Sequence, residues 1–109
     1  MDRLKKHCDI LKLLYQAKPK VRAALIEDAS PELLTCLAEC SLNILKGNVP
    51  LDSSQKEKLR RQRHKLRLLA SKKVSKTNKK KIIQKGGFLS ALLAPIVGGI
   101  LGTLPQLFQ

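Results

Sequence analysis

The charged residues of this chain are segregated along the sequence, and this segregation limits how it can fold. Residues 51–85 hold fourteen Lys and Arg against two acids, whereas residues 1–50 hold eight against six. Residues 86–109 carry no charge, so they are suited to a bilayer or a protein groove. The layout predicts three segments: a small helical domain over 1–48, a basic nucleic-acid-binding helix and arm over 51–85, and an apolar tail over 86–109 that is a candidate for cleavage or membrane activity.

The apolar residues are mostly leucine, and the aromatic residues are limited to Tyr15, Phe88 and Phe108. Leucine favours helix, whereas β-branched and aromatic residues favour strand. At 109 residues the chain has room for one small domain. We therefore expect an all-α fold, with a small helical bundle followed by a basic helix or arm and an apolar tail broken by Gly and Pro.

Three helices are predicted in the first half of the chain. Apolar residues at a spacing of three and four indicate an amphipathic helix over 2–16. Pro19 fits the first turn of a second helix that ends near Asp28. Ser30 is a predicted cap for a third helix, which runs to about Lys46 and is closed by a left-handed Gly47.

The second half is predicted to be helical only in part. Asp52 and Gln55 have the spacing of a capping box, which starts a fourth helix that reaches about Ala70. Residues 71–85 are rich in lysine with few apolar anchors, so we expect a frayed helix or a disordered arm there.

The apolar tail is interrupted by glycine and proline. Residues 88–104 would extend about 25 Å as a helix, which is short for a bilayer core of about 30 Å. A GxxxG pattern could bring two helices into close contact. An ordinary transmembrane anchor is therefore not favoured. The residues predicted to insert or associate are Phe88, Leu89, Leu92, Leu93, Ile96, Val97, Gly98, Ile100, Leu101 and Gly102.

Catalytic and metal-binding patterns do not stand out. Glu27 and Asp28 are adjacent, and neighbours on a helix point apart. His64 lies among basic and amide residues without an acidic neighbour. The sequence therefore predicts no enzyme activity and no cofactor.

Three cysteines could assemble a zinc site with His7, but they lack the paired CxxC or HxxxH spacing of such sites. We therefore expect no metal and interpret Cys8, Cys36 and Cys40 as small core residues. Their odd number and the charged N-terminus indicate a reducing compartment and a protein that is not secreted.

The basic segment predicts binding to a polyanion. A solvated protein surface usually mixes charges of both signs, whereas this segment has almost no acid. Few aromatics argue against base stacking, so we expect phosphate contacts with weak sequence preference, which fit DNA and RNA alike. The predicted phosphate contacts are Lys56, Lys58, Arg60, Arg61, Arg63, Lys65, Arg67, Lys72, Lys73, Lys76, Lys79, Lys80, Lys81 and Lys85.

The run KKKIIQKGGFLSALLAPIVGGILG, residues 79–102, resembles the C-terminal half of the adenovirus core protein X precursor, the source of the mu peptide. Similar proteins are encoded by Polinton (Maverick) elements and adintoviruses. The shared features are a basic block, a Gly-Gly pair and an apolar tail.

This resemblance implies a virion core protein that binds and condenses double-stranded DNA in the virion and host nucleus. It also implies cleavage by an adenovirus-type cysteine protease after Gly86-Gly87 and before Phe88, or after Gly98-Gly99. The implied partner is double-stranded DNA. The helical domain could add dimerisation or docking to other core or capsid proteins, and a homo-oligomer or associating tails could bridge duplex segments.

Two other functions remain open from the residues alone. A membrane-active protein would place its basic segment on anionic lipid headgroups and insert the segment 86–109. A protein–protein adaptor would instead use the helical domain and dock its tail in a groove.

Overall fold

A computed structural model of the chain describes residues 5–84 and 87–100, with the backbone alone at 99 and 100. The described residues form an all-α globule, which confirms the predicted fold class. Residues 5 and 6 are also helical, and a turn at His7 separates them from the first complete helix. In chain order the helices are α1 (Cys8–Gln16), α2 (Pro19–Glu27), α3 (Pro31–Leu45), α4 (Ser53–Arg61), α5 (Arg63–Ala70), α6 (Lys76–Gln84) and α7 (Phe88–Pro95), followed by a wider π-type turn at Ile96–Ile100.

Helix α7 lies at the centre of the bundle and contacts α1, α3, α4 and α6. Its apolar side chains are buried on several sides of the helix, with the turn that follows contributing Ile96. The surrounding amphipathic helices turn their leucines toward it, including Leu11 and Leu59. Buried side chains from all three sequence segments therefore belong to one hydrophobic core.

The most extensive contact between two helices is that of α3 with α5. Ser41 is fully buried between them, and its Oγ donates a hydrogen bond of 2.6 Å to the carbonyl oxygen of Leu66. A small side chain at this position lets the two backbones approach, and the bond satisfies a hydroxyl that would be costly to bury alone. The basic helix α5 is thereby fixed against the bundle.

The start and end of α3 confirm the local signals in the sequence. The backbone N–H of Leu33 donates to Ser30 Oγ at 3.1 Å, as expected of a serine cap. Gly47 follows the helix with a φ of +76°, the left-handed conformation that glycine adopts without steric cost.

Three element boundaries differ from the sequence expectation. Helix α1 begins at Cys8 rather than near residue 2, because a turn at His7 interrupts the helix; residues 2–4 lie outside the described part. The expected single helix from 52 to 70 is two helices, with a break at Gln62.

The third difference is α6, which is an ordered helix where an arm or frayed helix was expected. Its start is capped, since Ser75 Oγ accepts from the backbone N–H of Asn78 at 3.2 Å. Its last turn is anchored by Ile83, which is buried in the core. One cap and one buried side chain supply the stability that the lysine-rich composition lacks.

Arg22 joins three parts of the bundle through its guanidinium. Its Nε donates to the carbonyl oxygen of Leu14 at 2.9 Å, and Nη2 donates to those of Tyr15 and Ala17. Its Nη1 donates to Ser90 Oγ on α7 at 2.8 Å. A cation at a helix C-terminus offsets the negative end of the helix dipole, so Arg22 both caps α1 and fixes it against α7.

The central position of α7 makes its leucines sensitive to truncation. Leu92→Ala removes a side chain with 0% exposure, and we expect the free energy of unfolding to fall by about 2–5 kcal/mol. Leu13→Ala, at a leucine that is 49% exposed, is the matched control and should change stability by about 0.5 kcal/mol or less. Urea denaturation of both variants measures the difference; equal losses would contradict a buried α7.

Candidate nucleic-acid interface

Helices α4 and α5 carry most of the arginines and are anchored at one end by a capping box. The N–H of Gln55 donates to Asp52 Oδ1 at 2.8 Å, and the N–H of Asp52 donates to Gln55 Oε1 at 3.0 Å. Reciprocal bonds of this kind satisfy two backbone donors that a helix start would otherwise leave free. The capping-box prediction is confirmed.

The break at Gln62 leaves the helical phase nearly unchanged. The N–H of Gln62 donates to the carbonyl oxygen of Leu59, and its own carbonyl accepts from the N–H of Leu66. Leu59 and Leu66 are seven residues apart and both are buried, so the same side of α4 and α5 faces the core. The two helices therefore present one nearly continuous outer surface.

Four cations share one flank of this surface at a spacing of four, three and four residues. They are exposed, and we call them the cationic stripe: Lys56, Arg60, Arg63 and Arg67. Three of them line a shallow depression of about 190 Å³ against the end of α3. At 1.5 Å per residue the stripe is about 16 Å long, a distance over which duplex DNA carries on the order of ten phosphates.

Two further cations project from the opposite flank of α4. Lys58 and Arg61 line a depression of about 450 Å³ together with Tyr15 and small residues of α7. Both cations are exposed. Helices α4 and α5 together therefore present positive charge in two directions.

Glu57 is the one carboxylate in the sequence from 53 to 84, and it lies between two arginines. Both of its oxygens accept from Arg60 Nη2 at 3.1 Å, and Arg61 Nε is 3.5 Å from Oε1. All three side chains are exposed, so each pair contributes only about 0.2–1 kcal/mol. Such weak pairs can exchange for a phosphate at little cost.

The remaining predicted contacts are Lys65 on α5, the lysines of the following loop and of α6, and Lys85. Lys80 is half-buried, and its Nζ donates to the carbonyl oxygen of Glu27 at 3.0 Å. This lysine therefore already has a hydrogen-bond partner at the C-terminal end of α2. Burial, followed by repulsion from Lys76, lowers the pKa of Lys79. Lys65 is also half-buried, and Lys85 lies outside the described residues; the exposed members are Lys72, Lys73, Lys76 and Lys81.

The predicted insertion residues are mainly core residues in this structure. Phe88, Leu89, Leu92, Leu93 and Ile96 are each 0–1% exposed. Their apolar surface is therefore covered by the protein's own helices and is not presented to a bilayer.

The rest of that prediction falls partly beyond the described side chains. Val97 is half-buried and Gly98 is exposed, whereas Ile100, Leu101 and Gly102 lie outside the described side chains. Within 5–84 and 87–100, no helix is both long and apolar enough to cross a membrane.

The predicted cleavage site is described on one side only. Gly86 lies outside the described residues, Gly87 is exposed and Phe88 is fully buried. A protease that binds Phe88 in an extended conformation would have to draw it from the core.

The cysteines lie where small core residues were expected. Cys36 and Cys40 are fully buried on α3, and Cys8 is half-buried. No cluster of three or more metal-ligating side chains occurs in the described part of the chain. A hydrogen bond with Cys36, followed by burial, raises the pKa of the Cys40 thiol well above its usual range.

This environment predicts unequal thiol reactivity. Because the thiolate is the reacting form, Cys40 should resist a chromogenic disulfide reagent at pH 8 in the folded protein, whereas Cys8 should react at least about tenfold faster. Cys8→Ser should remove the fast phase, and denaturant should release the slow one. A native Cys40 that reacts as fast as Cys8 would contradict the burial described here.

Searches of protein-family models, curated proteins and solved structures found no match to this chain. We therefore infer the function of the chain from its residues, their placement and the resemblance over residues 79–102.

Proposed function

We propose that this protein binds duplex nucleic acid without sequence preference and condenses DNA as a virion core protein. The observation that carries the proposal is the cationic stripe, in which four exposed cations share a helix flank that is anchored to the core by Leu59 and Leu66. A surface of this kind meets the phosphate backbone with its geometry already formed.

Phosphate contact fits these side chains better than base reading does. Arginine forks bind phosphate oxygens bidentately, and the charge of lysine attracts them without a fixed geometry. Sequence discrimination needs a bidentate amide or arginine aimed at base edges, and stacking needs aromatic rings. Among the described residues, Tyr15 is the one exposed Phe, Tyr or Trp. Affinity should therefore depend on salt more than on sequence.

Condensation requires that one protein particle contact more than one duplex segment. The stripe lies on one flank of α4 and α5, and the pair Lys58 and Arg61 lies on the opposite flank of α4. One molecule therefore has cations directed toward two duplexes, and a homo-oligomer would multiply such contacts.

The resemblance at residues 79–102 supplies the biological setting of the proposal. It supports double-stranded DNA as the nucleic acid, the virion and host nucleus as the location, and other core or capsid proteins as neighbours. It also supports cleavage at Gly87-Phe88, which would separate α7 from the basic segment.

Membrane activity is a weaker alternative for the folded chain. It would require α7 to leave the core, and each buried leucine or phenylalanine that enters water on the way costs about 1.5–3 kcal/mol. Leakage of anionic vesicles by the full chain, with DNA binding absent, would favour this alternative over the proposal.

The stripe can be tested by neutralising its four cations to glutamine. We expect the slope of log K against log salt to flatten by about 3–4, because each lost phosphate contact removes about 0.9 from it. Duplex affinity at 0.1 M salt should then fall by roughly 10³–10⁴-fold. If about eight phosphates engage in the wild-type protein, its slope should be near −7. Fluorescence anisotropy over a salt series measures both.

The matched control neutralises Lys5, Lys6, Lys18 and Lys20, which are exposed and lie outside the basic segment. Its net charge equals that of the stripe variant, so a general charge effect would weaken both proteins alike. The proposal requires the stripe variant to lose far more affinity, equally for two duplexes of unrelated sequence.

Bridging is tested by Lys58→Gln with Arg61→Gln. This variant keeps the stripe, so we expect single-duplex affinity to fall less than about tenfold. Light scattering of long DNA should show that a severalfold higher protein concentration is needed for condensation. Unchanged condensation would mean that the two flanks do not bridge duplexes.

A further inference from the structure

A second basic surface differs in character from the cationic stripe. An open groove of about 530 Å³ lies between α3, the loop after α5 and the start of α6. Several of its lining side chains are apolar: Leu42 is exposed and Ala38 and Val74 are half-buried, whereas Leu34 is buried. Leu42 is 39% exposed, which is unusual for a leucine beside the core of this bundle.

The groove is elongated because one face of α3 forms its wall. Leu34, Ala38 and Leu42 lie four residues apart along that face, and Lys46 continues it at the helix end. Leu34 and Lys46 are twelve positions apart, so at 1.5 Å per residue they span about 18 Å, or roughly three helical turns. A short helix has this length.

Four lysines surround the apolar lining, and Glu39 is the one carboxylate among the lining residues. Lys46, Lys72 and Lys76 are exposed, whereas Lys79 is half-buried. Burial and the charge of Lys76 lower the pKa of Lys79, as expected where cations are crowded at an apolar surface. An anionic occupant would relieve this repulsion.

We propose that this groove is a docking site for an acidic amphipathic helix of a protein partner. The apolar face of that helix would cover Leu42 and its neighbours, and its flanking carboxylates would meet the four lysines. Recognition of a helix in a groove uses apolar anchors three and four residues apart, which suits a wall built from one face of α3. Three of these lysines, Lys72, Lys76 and Lys79, are also among the predicted phosphate contacts, but the proposal does not depend on nucleic-acid binding by the stripe.

Other anionic ligands fit the groove less well. Duplex DNA gains nothing from the exposed apolar lining, and the stripe offers it cations without such a surface. A lipid acyl chain needs a site that buries most of its length, whereas this groove is open to solvent. An amphipathic helix keeps its polar face in water, so an open groove is sufficient.

The test uses a fluorescent peptide of about 14 residues, with leucines at helical spacing, glutamates elsewhere, and a side-chain cross-link on its polar face that holds the helix. A second peptide has the same composition and cross-link, but its leucines are distributed around the helix. The full-length protein should bind the amphipathic peptide at least about tenfold more tightly than the scrambled one. Equal binding would show attraction by charge alone and would overturn the proposal.

Two pairs of variants locate the binding site. Leu42→Ser should weaken peptide binding at least about tenfold, whereas Leu13→Ser, at another exposed leucine, should not. Lys72→Gln with Lys76→Gln should weaken it severalfold, compared with Lys18→Gln and Lys20→Gln as the equal-charge control. Chemical denaturation confirms that each variant is folded, and an intact affinity in folded Leu42→Ser would overturn the proposal.

Vesicle competition and a duplex-affinity measurement separate the groove from other functions of the protein. Vesicles of zwitterionic and anionic phospholipid should not displace the peptide. Displacement by vesicles, together with weaker vesicle binding by Leu42→Ser than by wild type, would assign the groove to lipid instead. Duplex affinity should be the same in Leu42→Ser as in wild type. A failed peptide test therefore leaves the nucleic-acid proposal intact, and unchanged duplex affinity in the stripe variant would leave the groove proposal intact.

Discussion

Burial of one uncharged helix organises this protein. Helix α7 has little polar surface of its own, whereas the surrounding helices are amphipathic and each has one apolar face to cover. Packing the faces of α1, α3, α4 and α6 against α7 satisfies both needs at once, and α2 and α5 add their buried side chains to the same core. Phe88, the first residue of α7, is the one aromatic among the buried side chains of the described residues, and the rest of that core is aliphatic or cysteine.

The electrostatics follow from this arrangement. With the apolar surface directed inward, the cations of the basic segment are directed outward, where water and counterions reduce their mutual repulsion. Among the described residues of that segment, Lys80 is hydrogen-bonded to the carbonyl oxygen of Glu27, and Arg60 and Arg61 are paired with Glu57. A bound polyanion would remove repulsion that folding leaves in place, so it should raise the stability of the bundle as any ligand of the native state does.

Sequence reasoning was most successful where structure is decided locally. The serine cap at Ser30, the glycine at Gly47 and the capping box at Asp52 depend on residues within one or two turns, and all three are present. It failed for α6, because the stability of that helix comes from Ile83 reaching a core formed by distant residues. The grouping of cations into a stripe could be predicted from their spacing, whereas the groove beside α3 could not, because it is formed where three separate segments meet.

The position of α7 in the chain has a consequence for synthesis on the ribosome. Helices α1 to α6 emerge first, yet the apolar surface that completes their core arrives last. At 5–20 residues per second, the interval between the end of α1 and the start of α7 is about 4–15 s. During that interval the leucines of the earlier helices are exposed. In its later part, the basic segment 51–85 is also made, close to ribosomal RNA. The bundle can close only after α7 has left the exit tunnel, so its folding completes after the basic segment is already free to meet nucleic acid.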